Sequence, residues 1–116
     1  MSAYRRINVA SGRSLETSAH YSRALRVGDM VLQAGTTAID RAGRVRGVGD
    51  AARQVEAIMA IAQDSMGKAG GRLEDVVRSR IYVTDMAVGH AAISTVARYF
   101  RDARPATTLV QVNGLA

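Results

Sequence analysis

The stretch Pro105-Ala106-Thr107-Thr108-Leu109-Val110-Gln111-Val112 decides the fold of this 116-residue chain. Its alternation of side chains is typical of a strand over Thr107–Val112, since successive residues of a strand face opposite sides of the sheet. Val110 and Val112 form the more apolar side, so we expect that side to meet the helices. Thr107, Leu109 and Gln111 should then lie on the other side.

Further strands are predicted upstream of this segment. Arg23–Val27 and Met30–Gly35 read as a hairpin, because Gly28-Asp29 between them tolerates the positive φ of a tight turn. Val76–Thr84 alternates as well, and a weaker strand is expected at Ile7–Val9.

Two helices are predicted from apolar periodicity. Residues from Ala51 to Met66 place apolar side chains at three- and four-residue steps, with Asp50 as N-cap and either Gly67 or Gly70-Gly71 as the end. A second helix is expected from about Met86 to Arg101, with Asp85 as N-cap.

The order of elements is therefore β-β-β-α-β-α-β. It predicts an α+β sandwich in which one mixed sheet carries both helices on one face, as a single domain over residues 1–116. The other sheet face would mix Arg80, Tyr82, Leu109 and Gln111 with hydrophobic residues. Burial of that face against copies of the same chain is the expected solution.

Composition excludes several classes of protein. The formal net charge is +6, but the sixteen basic residues are scattered, and one Phe, four Tyr and no Trp give few aromatic rings for stacking on bases. These features favour a solvated basic surface over a nucleic-acid-binding face. The absence of cysteine excludes disulfides and thiolate chemistry. No transmembrane run or secretory leader is readable, so the expected location is the cytoplasm.

No general catalytic motif is present. The chain has no phosphate-binding loop, dinucleotide fingerprint or serine-nucleophile elbow. His20 and His90 lack the spacing of metal ligands, and we expect His90 to be exposed. No metal and no cofactor are predicted.

Five segments together resemble the RidA/YjgF family of small trimeric imine and enamine deaminases, also called endoribonuclease L-PSP. They are Arg26-Val27-Gly28-Asp29, Gln33-Ala34-Gly35, Asp75-Val76-Val77, Ile81-Tyr82-Val83-Thr84-Asp85-Met86 and Arg104-Pro105-Ala106. The resemblance implies a chorismate-mutase-like fold, a homotrimer and a pocket between subunits. It also implies one more strand, carrying a glutamate, beyond Leu115-Ala116.

The resemblance further implies a set of pocket residues. These are Tyr21, Ala34, Gly35, Thr36, Ile93, Thr107 and Leu109. Thr107 stands where the family has the arginine that grips the substrate carboxylate, and Ala34, Ile93 and Leu109 stand at positions of serine, asparagine and cysteine. A single neutral hydroxyl cannot replace a charge-assisted bidentate contact. From the residues alone, Tyr21 could equally be a core tyrosine with a bonded hydroxyl.

Three functions stay open at this stage. The first is hydrolytic deamination of an imine or enamine with a non-standard substrate, the second is non-catalytic binding of a small metabolite or a partner, and the third is RNA cleavage or translation inhibition. Arg78 and Arg80 are candidate anion anchors in place of the missing arginine. The alternative is that they form ion pairs between subunits.

Overall fold

The computed structural model describes residues 4–116. The expectation that no secretory leader is present concerns residues 1–3 as well, and these lie outside the described part of the chain. Within residues 4–116 there are five strands, β1 (Arg6–Val9), β2 (Ala24–Val27), β3 (Met30–Gln33), β4 (Arg78–Val83) and β5 (Ala106–Gln111). Three α-helices join them, and they are α1 (Ser14–Ser18), α2 (Ala51–Lys68) and α3 (Gly89–Tyr99). Short 3₁₀ turns occupy Leu73–Asp75 and Met86–Val88.

The first three strands form an antiparallel meander in the order β1-β2-β3. The turn between β2 and β3 is the predicted one, since Gly28 has a φ of +59° and Val27 pairs with Met30 across it. The register places Asn8 opposite Leu25, and Leu25 opposite Leu32. These three residues therefore share one face of the sheet.

The last two strands pair in parallel, and among the described residues they form a second sheet that is not hydrogen-bonded to the first. The α+β class is confirmed, but the prediction of one continuous mixed sheet is wrong for residues 4–116. Alternation shows which side chains share a face of a strand, but it carries no information about which strands are neighbours.

Helix α2 begins where the sequence predicts, whereas α3 begins at Gly89, after a 3₁₀ turn that Asp85 caps. The Asp50 carboxylate accepts a hydrogen bond from the Arg53 amide at 3.1 Å, and the Asp85 carboxylate accepts from Ala87. Helix α2 ends at Lys68, and Gly70 two residues further on has a φ of +87°, which lets the Gly71 amide reach back to the Met66 carbonyl at 2.8 Å. The second predicted helix opens with a 3₁₀ turn and ends two residues before Arg101. None of these helices is long and apolar enough to cross a membrane.

Helices α2 and α3 cover one side of both sheets. Val55 and Met59 of α2 pack with Val83 of β4 and Ala92 of α3 in the larger core cluster. A smaller cluster joins the three-stranded sheet to the end of α2, where Val9 and Ala24 meet Ala69. The sheet faces away from the helices stay open in the single chain.

The predicted orientation of β5 is wrong. In the parallel pairing Ile81 lies beside Leu109, and Ser79 beside Thr107, so these side chains share a face. Leu109 packs against the core under the helices, and the hydroxyls of Ser79 and Thr107 are hydrogen-bonded at 2.7 Å. Thr108, Val110 and Val112 consequently share the open face with Arg78, Arg80 and Tyr82. The prediction placed Val110 and Val112 against the helices because they are apolar. The open face is itself partly apolar, so this criterion does not distinguish the two faces.

Candidate functional site

A shallow cavity of about 350 Å³ lies on the open side of the three-stranded sheet. Asn8, Leu25 and Leu32 share its floor, because they are directly opposite one another in the antiparallel register. The full lining consists of Arg6, Asn8, His20, Tyr21, Ser22, Leu25, Leu32, Gln33 and Ala34. Its charged side chain is Arg6, and no carboxylate among the described residues lines it.

The short helix α1 brings His20 and Tyr21 to the end of this cavity. The Ala19 amide closes the helix on the Leu15 carbonyl at 2.9 Å, and the Tyr21 amide bonds to the Glu16 carbonyl at 3.1 Å. His20 joins them with a φ of +57°, in the left-handed region that non-glycine residues enter at a cost. The chain thus reverses sharply before β2, and both side chains reach the open face.

Behind the cavity lies a buried ion pair. The side chains of Arg23 and Glu16 are 6% and 4% exposed, and Arg23 Nε is 3.0 Å from Glu16 Oε2. The rest of the guanidinium bonds to the Gly35 carbonyl at 2.6 Å and to the Tyr21 hydroxyl at 2.8 Å. Arg23 also lies against the Tyr21 ring, with its guanidinium carbon 5.2 Å from the ring centroid. One buried cation therefore holds α1, the β3 end and Tyr21 together.

The carboxylate of this pair is ionised and fully bonded. Glu16 accepts a hydrogen bond from the Ser11 amide at 2.8 Å and another from the Ser11 hydroxyl. Burial by itself would raise the pKa of the Glu16 carboxyl, but the bonds from Ser11 and Arg23 outweigh burial and lower that pKa below its ordinary value.

The polar contacts continue from the pair into helix α2. Arg23 reaches Thr36 Oγ1 at 3.3 Å, and Gln33 Nε2 donates to the same hydroxyl at 3.2 Å. The Gln33 side-chain oxygen in turn accepts from the Ser65 hydroxyl at 2.9 Å. The wall of the cavity is thereby tied to the helix layer.

The predicted pocket residues fall into two groups. Tyr21 and Ala34 line the cavity, and Gly35 and Thr36 are bonded to the buried arginine next to it. The second group is Ile93 on α3 with Thr107 and Leu109 on β5, which belongs to the other sheet. Within one chain no described contact joins the groups, so a pocket containing all seven residues remains a prediction.

The two candidate anion anchors differ in the structure. Arg78 donates to the carbonyls of Ser79 and Ala106 and, at 2.6 Å, to the Thr108 hydroxyl, so its guanidinium is largely satisfied by its own chain. Arg80 is exposed on the open face, and no hydrogen bond or ion pair engages its guanidinium among residues 4–116.

Sequence reasoning missed Arg6, Asn8, Glu16 and Arg23. Asn8 and Arg6 could have been found by extending the hairpin register to β1, because alternation then places them with Leu25 and Leu32. No sequence pattern indicates that Glu16 and Arg23 are in contact, because their contact depends on the short helix α1 and on the reversal of the chain at His20.

Comparison with known proteins identifies relatives of this chain. The model of the endoribonuclease L-PSP family matches residues 11–116. The 3-aminoacrylate deaminase RutC of Acinetobacter baylyi is 34% identical over 94 residues, which are 81% of this chain and 75% of that protein. An uncharacterized protein of Streptomyces coelicolor is 32% identical over 106 residues, covering 91% of this chain and 78% of its own. The crystal structure of Mycobacterium tuberculosis Rv2704, a member of the YjgF/YER057c/UK114 family, matches with a TM-score of 0.85 and 37% identity, covering 96% of this chain and 87% of the other.

Proposed function

Because the chain belongs to the endoribonuclease L-PSP family, which confirms the RidA/YjgF resemblance, we propose that it hydrolyses the C=N bond of a small imine, or of the imine tautomer of an enamine, in the cavity beside Tyr21. One relative in this family is a 3-aminoacrylate deaminase, so this chemistry is present among proteins of similar sequence. The observation that carries the proposal is the cavity itself, with a phenol, an imidazole and one guanidinium around an apolar floor.

The electrostatics of the cavity favour an anionic ligand. Arg6 lies at its edge, it makes no ion pair among the described residues, and no carboxylate lines the cavity. Thr107 does not take over the role of an arginine, because its hydroxyl is bonded to Ser79 Oγ and to the Pro105 carbonyl. Arg6 is therefore the anion anchor that we propose on the side of Tyr21.

The reaction adds water to the C=N carbon and releases ammonia from the resulting carbinolamine, leaving a carbonyl compound. Water addition needs a group that accepts a proton, and histidine is the side chain that most often serves in this way. His20 lines the cavity and is proposed for that role. Tyr21 is proposed to donate a hydrogen bond to the substrate.

A specific observation also favours a second candidate, non-catalytic binding of a small anionic metabolite. No carboxylate that could position water lines the cavity in the described chain. A protein that binds such a ligand needs only Arg6, Tyr21 and the apolar floor, whereas a hydrolase needs a proton acceptor in addition.

We further propose that the chain forms a homotrimer around its open sheet faces. Met30 and Leu32 on the first sheet are 62% and 49% exposed, and Tyr82 on the second is 48% exposed. Side chains of this size on the helix-free faces favour burial against other subunits. The same assembly would bring the Thr107 group of one subunit towards the Tyr21 group of the next.

The test of the function uses imines generated in situ from a panel of amino acids by an amino-acid oxidase, with trapping by semicarbazide as the competing reaction. We expect the protein to accelerate hydrolysis of at least one imine, and Tyr21→Phe to reduce that acceleration at least about tenfold. Ser18→Ala, on the exposed side of α1, is the control and should leave it unchanged. Thermal stabilisation by a carboxylate ligand without any hydrolysis across the panel would favour the binding protein instead.

A further inference from the structure

The buried ion pair of Glu16 and Arg23 attaches helix α1 to the rest of the fold, and it also contacts Tyr21. Removing two charges from water is costly, and apolar side chains of similar size often stabilise a fold equally well. This pair is 4% and 6% exposed, yet it lies directly behind a residue that lines the cavity. Its position next to Tyr21 calls for an explanation in terms of that phenol.

Each side-chain nitrogen of Arg23 donates at least one hydrogen bond within its own chain. Nε–H donates to Glu16, and Nη1 donates to the Gly35 carbonyl and the Thr36 hydroxyl. Nη2 donates to the Tyr21 oxygen at 2.8 Å. With its charge balanced by Glu16, Arg23 is not available as an anchor for an external anion.

The contact with Nη2 determines what the Tyr21 hydroxyl can do. A phenol oxygen that accepts a hydrogen bond still carries a proton of its own to donate. Among residues 4–116 the Tyr21 hydroxyl makes no second hydrogen bond, and Tyr21 lines the cavity at 36% exposure. The phenol proton of Tyr21 is therefore available to a ligand in the cavity.

We propose that Glu16 and Arg23 are positioning residues for Tyr21: Arg23 occupies the acceptor side of the phenol oxygen and its ring face, so that the phenol proton points into the cavity. Glu16 holds the guanidinium in the orientation that this contact requires. The cavity then selects ligands that present an acceptor oxygen or nitrogen at this point, such as a carboxylate, a carbonyl or an imine nitrogen. The part of the inference that concerns the ligand rests on the proposed function.

Variants are needed that distinguish a loss of folding from a loss of the contact that positions Tyr21. Arg23→Met alone would leave a buried carboxylate without its partner, so the principal variant is the double substitution Glu16→Gln/Arg23→Met, which removes both charges. Arg26→Met is the matched control. Arg26 lies in β2, three residues after Arg23, and donates to the carbonyls of Gly28 and Ala69 on the helix side, with no hydrogen bond to Tyr21.

The kinetic test is a double-mutant cycle on the imine that the protein hydrolyses fastest. We expect Glu16→Gln/Arg23→Met to lower kcat about tenfold or more, as misplacement of a contacting group does, and Arg26→Met to change it less than about twofold. In a Tyr21→Phe background the same double substitution should cause no further loss, because its effect passes through the phenol. A loss of kcat in that background as large as in the parent would overturn the proposal.

A second measurement does not depend on catalysis. With tyrosine labelled by ¹³C in the ring, the Tyr21 signals are assigned by their disappearance in Tyr21→Phe. We expect Glu16→Gln/Arg23→Met to shift these signals and Arg26→Met to leave them in place. Unchanged Tyr21 signals in the pair variant would overturn the positioning role. Shifted signals in a protein that hydrolyses no imine would instead refute the proposed reaction and keep the positioning role.

Discussion

Replacing Leu109 by alanine should destabilise the folded subunit without weakening its self-association. Leu109 lies on the helix side of β5 and packs with Ile81 against the core. Its Cδ2 atom is 3.2 Å from the point where a methyl group on Gly89 would stand, so it fills the space under the start of α3. Its side chain therefore belongs to the subunit core.

The magnitude follows from the burial. Leucine-to-alanine substitutions in protein cores cost about 2–5 kcal/mol, and the cost rises with the cavity that remains. Leu109 is only partly buried, so we expect the lower end, about 2 kcal/mol. Val110 is the matched control, since it is the next residue of the same strand and faces the open side. Val110 is itself half-buried, so Val110→Ala should cost the isolated subunit about 1 kcal/mol, which is less than Leu109→Ala.

The assay is urea unfolding followed by circular dichroism at several protein concentrations. Leu109→Ala should lower the midpoint at every concentration, whereas Val110→Ala should lower it mainly where the parent protein is associated. The reasoning is refuted if Val110→Ala destabilises the dissociated subunit as strongly as Leu109→Ala. That result would restore the orientation of β5 predicted from the sequence.

Four other outcomes are expected. Thr107→Arg should raise imine hydrolysis less than about threefold by kcat/KM, because one new cation leaves the rest of the site unchanged; recovery of full family-like turnover would contradict this. Arg80→Ala should weaken the trimer in light scattering while leaving the affinity for a carboxylate ligand unaltered, and the opposite pattern would make Arg80 the anchor. The pKa of Glu16 is lowered on folding, so the stability that its carboxylate provides is lost as the pH falls through the acid range. In urea titrations, the free energy of unfolding of Glu16→Gln should therefore decrease less over that range than that of the parent protein. Arg6→Gln should weaken binding of a carboxylate ligand and remove most of its salt dependence in calorimetry, since an exposed cation is screened by ions; an unchanged salt dependence would exclude Arg6 as the anchor.

Signals that act within a few residues could be predicted from the sequence. Asp50 and Asp85 bond to amides two or three residues ahead, and Gly28 adopts the positive φ that its turn needs. Each depends on its own neighbourhood, so no knowledge of the fold was necessary. Strand pairing acts over longer distances. The parallel partnership of β4 and β5 orients Leu109, and its own alternation left that choice open.

In the candidate site, too, long-range contacts could not be predicted from the sequence. Tyr21 and Ala34 were identified by resemblance and do line the cavity. Glu16 and Arg23 were not, because their contact requires α1 to end in a left-handed residue at His20 and to fold back on β2. A seven-residue separation of opposite charges is common in sequences, so it gives no warning of a buried pair.

The resemblance to the RidA/YjgF family implies a carboxylate-binding arginine at the position of Thr107, and the structure shows what this chain has there and at Tyr21. At Thr107 the hydroxyl is bonded within its own sheet, which leaves no charged contact at that position. At Tyr21 a buried guanidinium, neutralised by Glu16, fixes the phenol without adding net charge to the cavity. In the binding site that we propose, the direction of the Tyr21 hydrogen bond should contribute more to recognition than charge does, because Arg6, the cation that lines the cavity within residues 4–116, is exposed and screened. The substrate range should therefore extend to imines whose carboxylate is absent or replaced by a neutral acceptor, which a bidentate arginine would discriminate against.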